Sequence, residues 1–299
     1  MATFRPATMR CACIDIGSNT TRLLVAEVVN GRLHAVVQQR SFTRISRALE
    51  PDGAIPAATV AAVAGVVRDQ LEVAAAARAA HVKVVATAAI RRAPNRDAVI
   101  AGLSDRAGVP VLLVPGVEEA RLAFLGATRT LDAPPAGTIA VVDVGGMSTE
   151  VAIGTYAAGV AWARSYPIGS AGLAAGCAGD PPSPADIAAM RAAAQAALAD
   201  GEPPPGADHA VAVGGSAASL PTLVGPVLDE AALQRALAKL TAGSAEHVAR
   251  LHDLAPERTQ LLPAGILVLG AVAERLGRPL RIGRGGLREG VVLELATGR

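Results

Sequence analysis

Twice in this chain an apolar run ends in Asp-x-Gly, passes through a few small polar residues and resumes as an apolar run. Ala12-Cys13-Ile14 leads into Asp15-Ile16-Gly17-Ser18-Asn19-Thr20-Thr21 and then Leu23-Leu24-Val25-Ala26. Ile139-Ala140-Val141-Val142 leads into Asp143-Val144-Gly145-Gly146-Met147-Ser148-Thr149-Glu150 and then Val151-Ala152-Ile153. Each reads as a strand, a tight turn and a returning strand, which is a hairpin. Its recurrence near the start of each half predicts a duplicated domain.

The intervening pattern predicts α/β architecture with mixed sheets. Val60, Val63, Val67, Leu71 and Ala74 recur at helical spacing after Pro56. Residues 82–87 and 109–114 read as strands, and 118–125 as a helix. Ser183 caps a helix that has Pro184 at its first position and ends near Gly201. Residues 210–213 form a strand running into a glycine turn and a helix. The tail reads as a helix over 263–276, a strand over 280–282 and a last helix through Glu289. Pro134 and Pro135 interrupt both patterns, so the domains are expected at 1–130 and 131–299, the last helix packing back on the first domain.

Composition removes several function classes. Of the 299 residues 51% are hydrophobic and only 2% aromatic, so the core is built from Ala, Val, Leu and Ile. Gly, Pro or charge breaks every apolar run before the ~18 residues of a membrane span. Residues 1–10 carry two Arg and run straight into a motif-bearing strand, which reads as no signal peptide. Cys11, Cys13 and Cys177 suit neither a disulfide framework nor a zinc site; the cytoplasm and core packing are the expectation. A net charge of +2 does not argue for nucleic acid.

The turns carry the chemistry. Gly17 to Thr21 expose successive backbone N–H groups with little side-chain bulk, a nest that suits phosphate oxygens. One such turn is equally an ordinary hairpin turn; two, each preceded by an aspartate at the end of a buried strand, favour a phosphate site. An aspartate there is poor packing and a good support for Mg²⁺ or a water beside phosphate. Asp143 and Glu150 bracket the second turn and come to the same rim. Glu118 and Glu119 also read as a solvated helical pair with Arg121, and nothing in their spacing places Glu119 in a cleft. The five histidines do not cluster, and Trp162 and Tyr166 read as core filling.

Further segments occur in order: Ala86 to Arg91, Gly116-Val117-Glu118-Glu119-Ala120, Val213-Gly214-Gly215, Glu257 to Gly265 and Gly286-Leu287-Arg288-Glu289-Gly290. Together with the two hairpins, this set resembles the exopolyphosphatase and guanosine pentaphosphate phosphohydrolase family in its short, two-domain form. The resemblance implies two ribonuclease-H-like domains of the actin-like ATPase fold around a central cleft. It also implies that Glu119 is the base activating water, with Asp143 and Glu150 as catalytic carboxylates. Asp143, Glu150 and Asp15 would hold Mg²⁺ or Mn²⁺. Phosphate would lie on Gly17, Ser18, Asn19 and Thr20, on Gly145, Gly146, Ser148 and Thr149, and on Arg91 and Arg258. Met147 departs from the family, which usually has a third glycine there. A positive φ at that position would cost roughly a kcal/mol, whereas a side chain directed away from the cleft would be harmless.

The expected activity is hydrolysis of terminal phosphoanhydrides of inorganic polyphosphate, with guanosine pentaphosphate as the alternative substrate. An actin-like kinase and a non-catalytic polyphosphate or alarmone sensor are the competing classes. The expectations for partners are a phosphate substrate, no nucleic acid, no membrane and a homodimer.

Overall fold

Both hairpins form. The computed structural model describes residues 9–29, 31–177 and 179–298; residues 1–8, most of the stretch read as no signal peptide, lie outside these. The strands of the first half are β1 (Arg10–Ile16), β2 (Thr20–Val29), β3 (Arg32–Phe42), β4 (His81–Ala86) and β5 (Val111–Leu113). Those of the second are β6 (Ile139–Val144), β7 (Thr149–Thr155), β8 (Gly159–Tyr166), β9 (His209–Val213), β10 (Val227–Leu228) and β11 (Leu280–Ile282).

The first sheet has the order β3-β2-β1-β4-β5 and the second β10-β11-β9-β6-β7-β8. Read from the hairpin outward, β8-β7-β6-β9-β11 repeats β3-β2-β1-β4-β5, with β10 added at an edge. The senses repeat as well: antiparallel within the hairpins, parallel from β1 to β4 to β5 and from β6 to β9 to β11. This repeated order gives two ribonuclease-H-like units, the actin-like ATPase fold.

Period-two alternation on the central strands explains how each sheet is covered. Ala12, Ile14 and Ile16 pack with Val60, Val63 and Val67 of the Ala57–Ala76 helix and with Leu103 of the Arg96–Ala107 helix. Cys11 and Cys13, both fully buried, face the other way and pack with Leu287, Val291 and Val292 of the last helix, Leu287–Thr297. On the second sheet Ala140, Val142 and Val144 pack with Leu198, Leu233 and Ile266. Its other face, Ile139 and Val141, is covered by Ala120, Phe124 and Ala127 of the Gly116–Arg129 helix. Each sheet is thus roofed by a helix from the opposite half of the chain, and these two helices cross between the sheets.

Local signals hold in detail. Ser183 accepts from the Asp186 N–H and Asp186 accepts from the Ser183 N–H, a reciprocal cap on the Pro184–Ala199 helix. Tyr166 is buried in the second core with Trp162 packed against it. β3 and the helices Arg96–Ala107, Glu230–Leu240 and Ala245–His252 add to the elements expected from the sequence. Among the described residues no helix is long and apolar enough to cross a membrane.

Candidate active site

A cleft of about 800 Å³ opens between the sheets at the turn ends of both hairpins. The turns are built alike: the Gly17 N–H donates to the Thr20 carbonyl at 3.0 Å, and the Gly145 N–H to the Ser148 carbonyl at 3.0 Å. Among the described residues the N–H groups of Ser18, Asn19, Gly146 and Met147 have no protein acceptor. These donors are left for an anion. The turns also touch. A Cβ on Gly146 would overlap the Ser18 hydroxyl, so a side chain there would force Ser18 to turn aside; its φ is not positive. Met147 does not have a positive φ either, and its side chain packs against the first core.

The hairpins share a register but not a chemistry. Asp15 lies directly opposite Arg22 across β1 and β2, and Asp143 opposite Glu150 across β6 and β7. Arg22 Nη2 donates to Asp15 Oδ2 at 3.2 Å, so the first aspartate carries its own counter-ion. The second faces a like charge, an arrangement that is unfavourable without a cation. Burial, with the charges of Asp15 and Glu289 added, raises the Asp143 pKa from 3.8 to about 6, although Arg22 opposes the shift.

Glu119 reaches the same place from the first turn of the Gly116–Arg129 helix. Its carboxylate and that of Glu150 are both held well above the usual range by burial, and the negative charges of Glu150 on Glu119 and of Asp143 on Glu150 add to this. Arg91 opposes the shift of both. Ser165 Oγ donates to Glu150 Oε1 at 2.7 Å. Among the described residues no three His, Cys, Asp or Glu side chains gather as a ready-made metal cage.

Further along the cleft Arg258 lies against Gly215 and, among the described residues, makes no ion pair. Burial, Arg22 and Arg40 together press its pKa down to about 10. The cleft therefore carries carboxylates and arginines together with the free N–H groups of the turns.

The model of the Ppx/GppA phosphatase family matches residues 24–298. The chain belongs to this family. Exopolyphosphatase 2 of Mycobacterium tuberculosis is 32% identical over 195 residues, 62% of this chain and 60% of that protein. Exopolyphosphatase 1 of Mycobacterium leprae is 29% identical over 95% of this chain and 89% of that protein. The alignments to the first matched curated relatives span only 55% and 60% of their length. The crystal structure of the Ppx/GppA family member from Aquifex aeolicus superposes with a TM-score of 0.81 at 25% identity, covering 97% of this chain and 98% of the other. An exopolyphosphatase structure from Cytophaga hutchinsonii shares the fold, with a TM-score of 0.84 at 20% identity over 97% and 98% of the two chains.

In this Ppx/GppA chain the cleft brings together Asp15, Gly17, Ser18, Asn19, Thr20, Glu119, Asp143, Gly145, Gly146, Ser148, Glu150 and Arg258. Two expected phosphate ligands, Thr149 and Arg91, are not among the lining residues. Thr149 is fully buried and its hydroxyl donates to the Ile168 carbonyl at 2.7 Å, so it braces the turn from behind. Arg91 is absent from the lining and is engaged by the carboxylates. Arg22, Arg40 and Glu289 also line the cleft and were not expected there from the sequence. A signal for Arg22 was available: it follows Asp15 by seven residues, as Glu150 follows Asp143.

Proposed function

We propose that this chain is a phosphohydrolase that removes terminal phosphates from inorganic polyphosphate. The observation that carries the reading is Glu119, a partly buried carboxylate delivered to the Asp143–Glu150 pair beside two facing turns with unused N–H donors. In this reading Glu119 takes the proton of a water, and the water oxygen attacks the terminal phosphorus in line with the departing phosphate oxygen. The N–H groups of Ser18, Asn19, Gly146 and Met147 receive the charge that builds on the transferring phosphoryl oxygens.

A hard divalent cation fits the donor set. Asp143 and Glu150 are opposed carboxylates of which only Glu150 has an ion-pair partner among the described residues, Arg91 at 3.6 Å, and Mg²⁺ needs only one or two carboxylates when substrate oxygens and waters complete its shell. When bound, such a cation would neutralise the pair and polarise the scissile phosphoryl group. Asp15, already paired to Arg22, is the weaker ligand.

The arginines of the lining support a polyanion as substrate. No Phe, Tyr or Trp lines the cleft among the described residues, whereas Arg22, Arg40 and Arg258 do. That favours a chain of phosphates over a stacked base. The test is phosphate release from medium-length polyphosphate and from guanosine pentaphosphate, with and without Mg²⁺. Faster Mg²⁺-dependent release from polyphosphate is expected; faster release from guanosine pentaphosphate would move the substrate assignment. No release from either would reject hydrolysis.

The raised pKa of Asp143 gives a second expected result. A carboxylate whose folded pKa exceeds its unfolded value binds its proton more tightly in the folded state. This site therefore favours the fold at low pH and withdraws roughly 3 kcal/mol as the pH climbs from 4 through 6. Mg²⁺ should raise the melting temperature clearly at pH 8, where the carboxylates are ionised, and little at pH 5. Equal shifts at both pH values in scanning calorimetry would contradict the assignment.

A further inference from the structure

Arg91 ends the short Ala88–Arg91 helix, and its side chain is only 19% exposed. Nη1 donates to the Val114 carbonyl at 2.8 Å and to Glu119 Oε2 at 2.8 Å. Nη2 lies 3.6 Å from Glu150 Oε1, the oxygen that also accepts from Ser165. Among the described residues no other cation is in ion-pair contact with either carboxylate. Glu119 and Glu150 line the cleft, and Arg91 is not among its lining residues. The guanidinium bridges a helix from the first half to a strand of the second through the two carboxylates.

We propose that Arg91 is a positioning residue, which fixes the Glu119 and Glu150 carboxylates relative to each other across the cleft and makes no contact with the phosphate chain. Two carboxylates brought together on separate elements repel and drift apart unless a shared donor holds them. A planar guanidinium can grip both at once, which an ammonium cannot reproduce. The neighbouring Arg92 secures the backbone independently: its Nη1 donates to the Met147 carbonyl at 2.9 Å and to the Pro167 carbonyl at 3.3 Å. Cutting the Arg91 side chain should thus leave the halves joined.

The inference rests on the hydrolase reading of the cleft, and the experiment separates the two. Arg91→Lys, Ser165→Ala and Arg258→Gln are compared with the wild type for kcat and KM on polyphosphate, and for polyphosphate affinity by titration calorimetry. For Arg91→Lys kcat is expected to fall about 10–100-fold, the usual effect of losing a partner that orients a ligating carboxylate. Its KM and Kd should stay within about threefold, the signature of an interaction absent from substrate binding. Ser165→Ala should show the same pattern more weakly, and Arg258→Gln the reverse, with KM and Kd raised. Unchanged kcat in Arg91→Lys, or Kd weakened as in Arg258→Gln, would overturn the proposal. If the wild type released no phosphate, the hydrolase reading would fall, and Kd alone would still decide whether Arg91 touches the phosphates.

Discussion

Glu119→Gln is expected to lower the kcat for phosphate release by about 10²–10⁴-fold, the range that a general base contributes. The amide has the same shape, and its oxygen can still accept the hydrogen bond from Arg91 Nη1 that Glu119 Oε2 now accepts. What disappears is the capacity to take a proton. Folding should survive, because the substitution also removes a partly buried negative charge that Glu150 repels. Circular dichroism and the melting temperature should match the wild type or exceed it, and KM should change little. Turnover near the wild-type level in a correctly folded Glu119→Gln would remove the base from the mechanism and with it the reason to read the cleft as hydrolytic.

Gly290→Val should produce the largest loss of stability, roughly 3 kcal/mol or more, at the upper end of what overpacking does. The helices Gly116–Arg129 and Leu287–Thr297 cross with their backbones in contact. A Cβ on Gly290 would overlap the carbonyl of Leu122, and one on Gly126 would overlap the carbonyl of Gly286. Neither obstacle is a side chain that could rotate aside, so the helices must separate. Because Glu119 rides on one and Glu289 on the other, activity should fall together with the melting temperature. Gly270→Ala is the control: its nearest neighbour is the Leu233 Cδ1 at 3.7 Å, an ordinary contact, and thermal unfolding should scarcely change. A Gly290→Val protein melting like Gly270→Ala would show that the crossing is loose.

Much of the fold was legible because its decisive signals are local. An apolar run of alternating faces, an aspartate, a tight turn and a returning run specify a hairpin wherever they occur. The cross-strand pairing of Asp143 with Glu150 follows from the turn length alone. The reciprocal Ser183–Asp186 cap is local in the same way. β3 escaped because it is an edge strand exposed on both faces along most of its length, so its residues carry no burial pattern to read. The Glu230–Leu240 and Ala245–His252 helices bury apolar faces but belong to none of the ordered motifs.

The two Asp-x-Gly hairpins, their register and the phosphate-type turns between their strands were determined by the sequence itself. Only the tertiary structure decided what the turns face. Glu119 enters the cleft because its helix leaves the first half to roof the second sheet, and the last helix makes the opposite journey. Arg91, expected as a phosphate ligand, stands in ion-pair contact with two carboxylates because those carboxylates arrive from elements 28 and 59 residues away. Arg22 neutralises one aspartate while Glu150 burdens the other, so symmetric hairpins yield an asymmetric site. Charge and proximity across such distances depend on how helices cross and sheets face, and no local pattern of residues encodes either.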